Sequence, residues 1–177
     1  MTTKELEKGF HEIWDLFKET DKKFKETDKK IATVTEQVAG LSGKWGRFVE
    51  GLLAPAVLKL FRERGIAVDR VSQRVIAQKN GKHMEIDILA LNAEYAVLIE
   101  VKSTLGVDDV DEHLARLADF KSFYPEYKDR KIVGAVAGID IEEGVDRYAY
   151  KQGLFVIGQS GEMVRILNDK KFQPRYW

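Results

Sequence analysis

HMEIDILAL (His83–Leu91) and YAVLIEVKST (Tyr95–Thr104), separated by a turn, decide the fold of this chain and much of its chemistry. Both segments are apolar enough to lie inside a sheet, and each is interrupted by charge. Side chains of a strand alternate between faces, so Glu100 and Lys102 emerge on one side and Val101 on the other. A turn centred between Ala93 and Glu94, with Asn92 facing Tyr95, sets Asp87 opposite Glu100 in an antiparallel hairpin, with Cβ atoms about 4.5 to 5.5 Å apart. Two carboxylates at that separation can share one cation.

These residue types belong together chemically. A hard cation such as Mg²⁺ takes oxygen ligands in octahedral geometry and keeps several waters, so one or two carboxylates plus substrate phosphate oxygens suffice. A metal-activated water is then the nucleophile, and Lys102 is placed to orient it, assist its deprotonation and offset charge developing on phosphorus. The competing reading makes Asp87 and Glu100 strand-end carboxylates with Lys102 as a surface ion-pair partner, an arrangement of small energetic worth. The apolar character of both strands argues against it, because burying charge there is costly without a partner or a metal. Glu85 shares the face of Asp87, as an extra ligand or a solvated hairpin residue.

Asp87 followed by Glu100-Val101-Lys102 across a short hairpin resembles the PD-(D/E)xK nuclease superfamily. The resemblance covers residues 44–168. It implies an α/β fold with a restriction-endonuclease-like αβββαβ core and a mixed central sheet flanked by helices. It also implies that Asp87 and Glu100 bind metal, that the Val101 carbonyl adds a ligand, that Lys102 acts on the attacking water, and that Glu50 on the helix Gly46–Arg64 reaches the metal through water. The residue before Asp87 is Ile86 where the superfamily pattern has proline, a position that ligates nothing.

Composition narrows the choice of metal. The chain has no cysteine and three scattered histidines, His11, His83 and His113, so thiolate sites and zinc clusters are excluded and any metal is oxygen-bound. The expected cofactor is Mg²⁺, with Mn²⁺ as substitute. Lysine and arginine number 29 and so do aspartate and glutamate. That balance is not that of a protein coating nucleic acid by bulk charge, and a nuclease then needs a local basic surface. Arg70, Arg74, Lys79 and Lys82 lie around the entry to the hairpin, and Arg116 and Lys121 are placed to flank it. No apolar run approaches membrane-spanning length and no signal-type beginning is present, so a soluble cytoplasmic protein is expected, without membrane contact.

The first 42 residues read differently. FKETDKK occurs at Phe17–Lys23 and again at Phe24–Lys30. Phe10, Phe17, Phe24, Ile31 and Val38 fall at heptad position a, with Leu6, Ile13, Thr20, Thr27, Val34 and Leu41 at d, which predicts a coiled-coil helix. At about 1.5 Å per residue it reaches roughly 60 Å, too long for a small domain to cover, so residues 3–41 are expected to form a homo-oligomer. Its size and helix direction stay open, and a single helix folded back on the domain is the alternative. Gly40-Leu-Ser-Gly43 is expected to act as a joint or cap, dividing the coiled coil (residues 1–42) from the nuclease-like domain (residues 43–177).

Beyond it, strands are expected at Ala67–Val71, Arg74–Gln78, Lys131–Ala137, Leu154–Gly158 and Met163–Leu167. Helices are expected at Val107–Tyr124 and Ile141–Gln152, while Lys170–Trp177 has no assignable pattern. The expected function is metal-dependent hydrolysis of nucleic acid, with DNA as substrate. The alternative is a nuclease-like binding or scaffold module that has lost catalysis.

Overall fold

The computed structural model describes the backbone of residues 3–161 and 163–177, and the side chains of residues 14–35, 51, 53–161 and 163–177. The element order is α1 (Thr3–Arg62), β1 (Arg70–Lys79), β2 (Lys82–Leu91), β3 (Tyr95–Leu105), α2 (Val107–Phe123), a 3₁₀ turn (Pro125–Tyr127), β4 (Lys131–Ile141), α3 (Val145–Lys151), β5 (Phe155–Ser160) and β6 (Met163–Ile166). The chain divides into two compact units, Met1–Lys44 and Trp45–Trp177. Residues 40–43, where a joint or cap is predicted, are helical and lie beside the division between the two units. Glycine in a helix interior costs about 1 kcal/mol relative to alanine, which is too little to end a long helix by itself.

In the second unit six strands form one mixed sheet in the order β1-β2-β3-β4-β5-β6. The β1–β2, β2–β3 and β5–β6 pairs are antiparallel, and β3–β4 and β4–β5 are parallel. This is the mixed α/β, αβββαβ arrangement expected from the sequence. The apolar runs AVLI and IVGAVA occupy β3 and β4 at the centre, where helices cover both faces and alternation gives way to continuous burial. Leu53, Val57, Leu60 and Phe61 of α1 pack with Val97, Ile99, Val133 and Phe155 on one face. Val110, Leu117 and Phe120 of α2 and Val145 and Ala149 of α3 pack with Leu98, Ile132, Val136 and Val156 on the other.

Local chemistry explains several boundaries. Asn80 and Gly81 both take positive φ, as a two-residue hairpin loop requires, and join β1 to β2. The strands expected at Ala67–Val71 and Arg74–Gln78 are one edge strand, which crosses its polar middle by adopting φ 52° at Arg74. In β4, Gly134 leaves room for its neighbours: a Cβ there would stand 2.4 Å from both Leu117 Cδ1 and Leu154 Cδ2. The unassigned tail is docked: Tyr176 bridges Val133, Trp177 N–H donates to the Ile132 carbonyl at 3.2 Å, and Phe172 is buried. Among the described residues, no helix is long and apolar enough to cross a membrane.

Candidate active site

The site forms where β2 and β3 part. Their paired register runs from Leu91↔Ala96 to Ile88↔Ile99, closed by the Asn92 N–H on the Tyr95 carbonyl at 3.1 Å, and its continuation brings Asp87 across from Glu100. There the alternation of β2 inverts. Met84 and Ile86 face α2, Ile88 and Ala90 face α1, and Leu89 and Leu91 face α2 again, so one step of the pleat is lost at Asp87. β1 changes face at the same level, with Val71 toward α1 and Val75 toward α2 on either side of Arg74. Where the ladder ends, the Val101 N–H donates to Asp87 Oδ2 at 2.8 Å, so an aspartate side chain satisfies this β3 amide.

Glu100 is 3% exposed and sits on the α2 face. Arg116 from α2 grips it with both guanidinium nitrogens, Nη1 on Oε2 and Nη2 on Oε1, the latter at 3.2 Å. Lys102 Nζ lies 3.2 Å from Glu100 Oε1 and 3.1 Å from Asp109 Oδ1. Asp109 also accepts the Gly106 N–H at 2.9 Å through its other oxygen. One carboxylate thus caps the start of α2 and holds Lys102. Arg116 reaches Glu112 as well, at 3.5 Å.

The protonation states follow. Burial pulls the Lys102 ammonium pKa down, but the hydrogen bond to Asp109 and the charges of Glu100 and Asp109 outweigh it, leaving it above the ordinary lysine value. Its two carboxylate partners thus favour the charged form of Lys102. Burial likewise opposes the Arg116 charge, and the hydrogen bond to Glu100 with the charges of Glu100, Asp87 and Glu112 reverses the effect. His113, buried on the same helix as Arg116, is pushed down to about 3 by burial first and by the Arg116 charge second. It is neutral, and its Nε2 lies 3.2 Å from the Leu98 carbonyl, the distance of an N–H donated to that oxygen.

The structure brings together Asp87, Glu100, Lys102 and Val101, the last with its side chain on the opposite face. The Glu50 side chain lies outside the described residues. Glu85 lies 3.1 Å from Arg74 Nη2 at the surface of the hairpin and joins none of the site contacts above. Arg116, expected among the flanking basic residues, is tied into the site. Of the other basic residues, Arg70 pairs with Asp69 and Lys79 donates to the Ser122 carbonyl at 2.5 Å. Sequence reasoning missed Asp109, Glu112 and His113 of α2, and the direct grip of Arg116 on Glu100. Their spacing of three, four and seven residues marks one helical face running beside the apolar one.

Among the described residues, no group of three or more His, Asp, Glu or Cys side chains forms a ready metal cluster. The donors present are the Asp87 and Glu100 carboxylates. They fit a hard divalent ion in kind, and its remaining positions would fall to waters and substrate oxygens.

Three solved structures resemble the chain. They are the protein of unknown function AF1548 (22% identity, 58% of this chain and 54% of that chain, TM-score 0.43), a repair endonuclease from Pyrococcus abyssi (18%, 59% and 44%, TM-score 0.37), and EndoMS in the EndoMS–dsDNA2 complex (15%, 63% and 45%, TM-score 0.39). The matches span about half the length of those chains. No curated protein matches. Residues 55–166, which include Asp87, Glu100, Lys102 and Arg116, match the family described as Domain of unknown function (DUF8196), and the chain belongs to that family.

Proposed function

We propose that this chain is a Mg²⁺-dependent nuclease that hydrolyses phosphodiester bonds of DNA at Asp87, Glu100 and Lys102. The observation that carries the reading is the placement of a buried Glu100 and a charged Lys102 on one face, with Asp87 across from them where the β2–β3 ladder ends. Asp87 and Glu100 would hold the ion, with the Val101 carbonyl as a further ligand and Glu50 acting through water. When bound, the ion supplies positive charge at the scissile phosphate and acidifies a water. Lys102, its side chain one-third exposed, stands at the rim of the site, where it would orient the attacking water, assist its deprotonation and oppose charge gathering on the phosphate oxygens. Arg116 positions Glu100. Mn²⁺ substitutes for Mg²⁺ in this reading. Self-association through residues 3–41 is part of the proposal, supported by the exposure of Phe17, Phe24, Ile31 and Val34 along α1.

One observation favours a second reading, a nuclease-like binding or scaffold module without catalysis. Glu100 is already matched by Arg116 and Lys102, and Asp87 by the Val101 amide. Calorimetry with Mg²⁺, alongside incubation of supercoiled and linear DNA with Mg²⁺ or Mn²⁺, separates the two. The nuclease takes up the ion and cuts, and Asp87→Asn abolishes both while keeping the fold. Absence of uptake and of cutting in the parent protein selects the binding module.

A further inference from the structure

The helix α1 carries an apolar seam whose chemistry is more complete than its sequence suggests. Phe17, Phe24 and Ile31 at a, and Val34 at d, are 56–68% exposed. The remaining d positions in this stretch are Thr20 and Thr27, polar by composition. Their hydroxyls donate back to the carbonyls of Leu16 at 2.7 Å and Lys23 at 2.9 Å. With its hydroxyl proton committed to its own helix, each threonine has no donor left for a partner and offers it a methyl group beside an acceptor oxygen. The seam thus alternates a large ring with a small methyl layer before closing on Ile31 and Val34.

Charges on either side of the seam are sorted by position. Lys23 and Lys30 stand at g, Asp21 and Asp28 at e. Two helices running in the same direction, in register, bring each g residue to the e residue of the partner's following heptad. That pairs Lys23 with Asp28 of the second copy, in both directions. Antiparallel helices overlapped on the same repeats pair g with g and e with e, lysine against lysine and aspartate against aspartate. Within one helix, Lys23 is engaged by Glu19 at 2.8 Å and Asp21 by Lys25 at 2.7 Å. All four side chains are more than half exposed, so these contacts are weak enough to be exchanged.

We propose that α1 binds a second copy of this chain as a parallel, in-register coiled coil, with the sorted lysine and aspartate edges fixing the direction. The inference rests on the self-association proposed above and adds its polarity. In a parallel arrangement the globular unit of every copy continues from the same end of the paired helices.

The full chain has no cysteine, so single cysteines report unambiguously. Thr20→Cys and Val34→Cys are each introduced alone and oxidised mildly, with mass measured by light scattering. In parallel register both variants form a disulfide with the same residue of the partner. Antiparallel helices have one crossing point, so at most one variant links, and a heptad slip links neither. Either result overturns the parallel proposal while leaving self-association intact. A monomer mass overturns self-association itself. The charges are tested independently by Lys23→Glu, expected to weaken association roughly three- to thirtyfold, and by its combination with Asp28→Lys, expected to restore it. Residues 23 and 28 do not face each other along one helix, so rescue reports the partner. Tighter association of Lys23→Glu would signal the antiparallel form.

Discussion

Lysine and carboxylate meet at about the same distance in two parts of this protein, with opposite consequences. On α1, Lys25 Nζ lies 2.7 Å from Asp21 and Lys23 Nζ lies 2.8 Å from Glu19, each side chain more than 60% exposed. In the sheet unit, Lys102 Nζ lies 3.2 Å from a Glu100 whose side chain is 4% exposed. Water screens the α1 pairs and competes for every hydrogen bond, so they contribute little. Around Glu100 there is little water, and the same attraction has to offset the desolvation of a carboxylate. Contact distance alone is a poor guide; what surrounds the pair decides whether a charge shapes the protein or merely decorates it.

The largest expected effect lies at the lysine itself. Lys102→Met keeps most of the stem and removes the charge, so DNA cleavage should fall about 10² to 10³-fold. Mg²⁺ uptake should persist in calorimetry, because a protonated lysine offers the ion no lone pair. Equal cleavage by parent and variant would return Lys102 to the same standing as Lys25.

Removing Arg116 comes next. Arg116→Ala leaves Glu100 buried with Lys102 as its remaining cation, and should cost about 2 to 3 kcal/mol in denaturant unfolding, below the full penalty of a broken buried pair because Arg116 is itself partly exposed. Asp21→Asn, which removes the α1 pair with Lys25, should leave the unfolding midpoint of the sheet unit unchanged. If both substitutions proved equally mild, burial would not be the distinguishing variable.

The smallest effect is a slope. His113 is held at about 3, against 6.5 for a free histidine. Between those values the unfolded chain binds a proton that the folded chain refuses, so stability is complete above pH 6.5 and is lost as pH falls toward 3, by at most about 1.4 kcal/mol per pH unit. His113→Gln should flatten the decline of melting temperature between pH 7 and pH 5. An unchanged decline would assign it to other groups.

Much of the sheet unit was legible because its signals are local. Period-two strands, the Asn80-Gly81 turn and the apolar face of α2 are each written within a few residues. So was the triplet Glu100-Val101-Lys102, since alternation alone puts Glu100 and Lys102 on one face. The pairing of Arg116 with Glu100 was not, because the two lie 16 residues apart and the contact exists only once the crossover from β3 to β4 lays α2 on the sheet. The lost pleat step at Asp87 was hidden for a similar reason. It depends on β1 and β2 changing face together, and Arg74 carries no glycine-like sign of its left-handed backbone. The tail was illegible because Tyr176 and Trp177 add themselves to β4 through backbone contacts that no periodicity records.

Gly134 gives an uncharged position leverage over an ionic site. A methyl group there collides with Leu117 and Leu154, both almost fully buried, and Leu117 is the immediate chain neighbour of Arg116. Alanine at 134 has to displace one of those side chains or lift α2, and the guanidinium travels with the helix. Substitution of Gly134 can therefore disturb the contact of Arg116 with Glu100 without altering a single charged group.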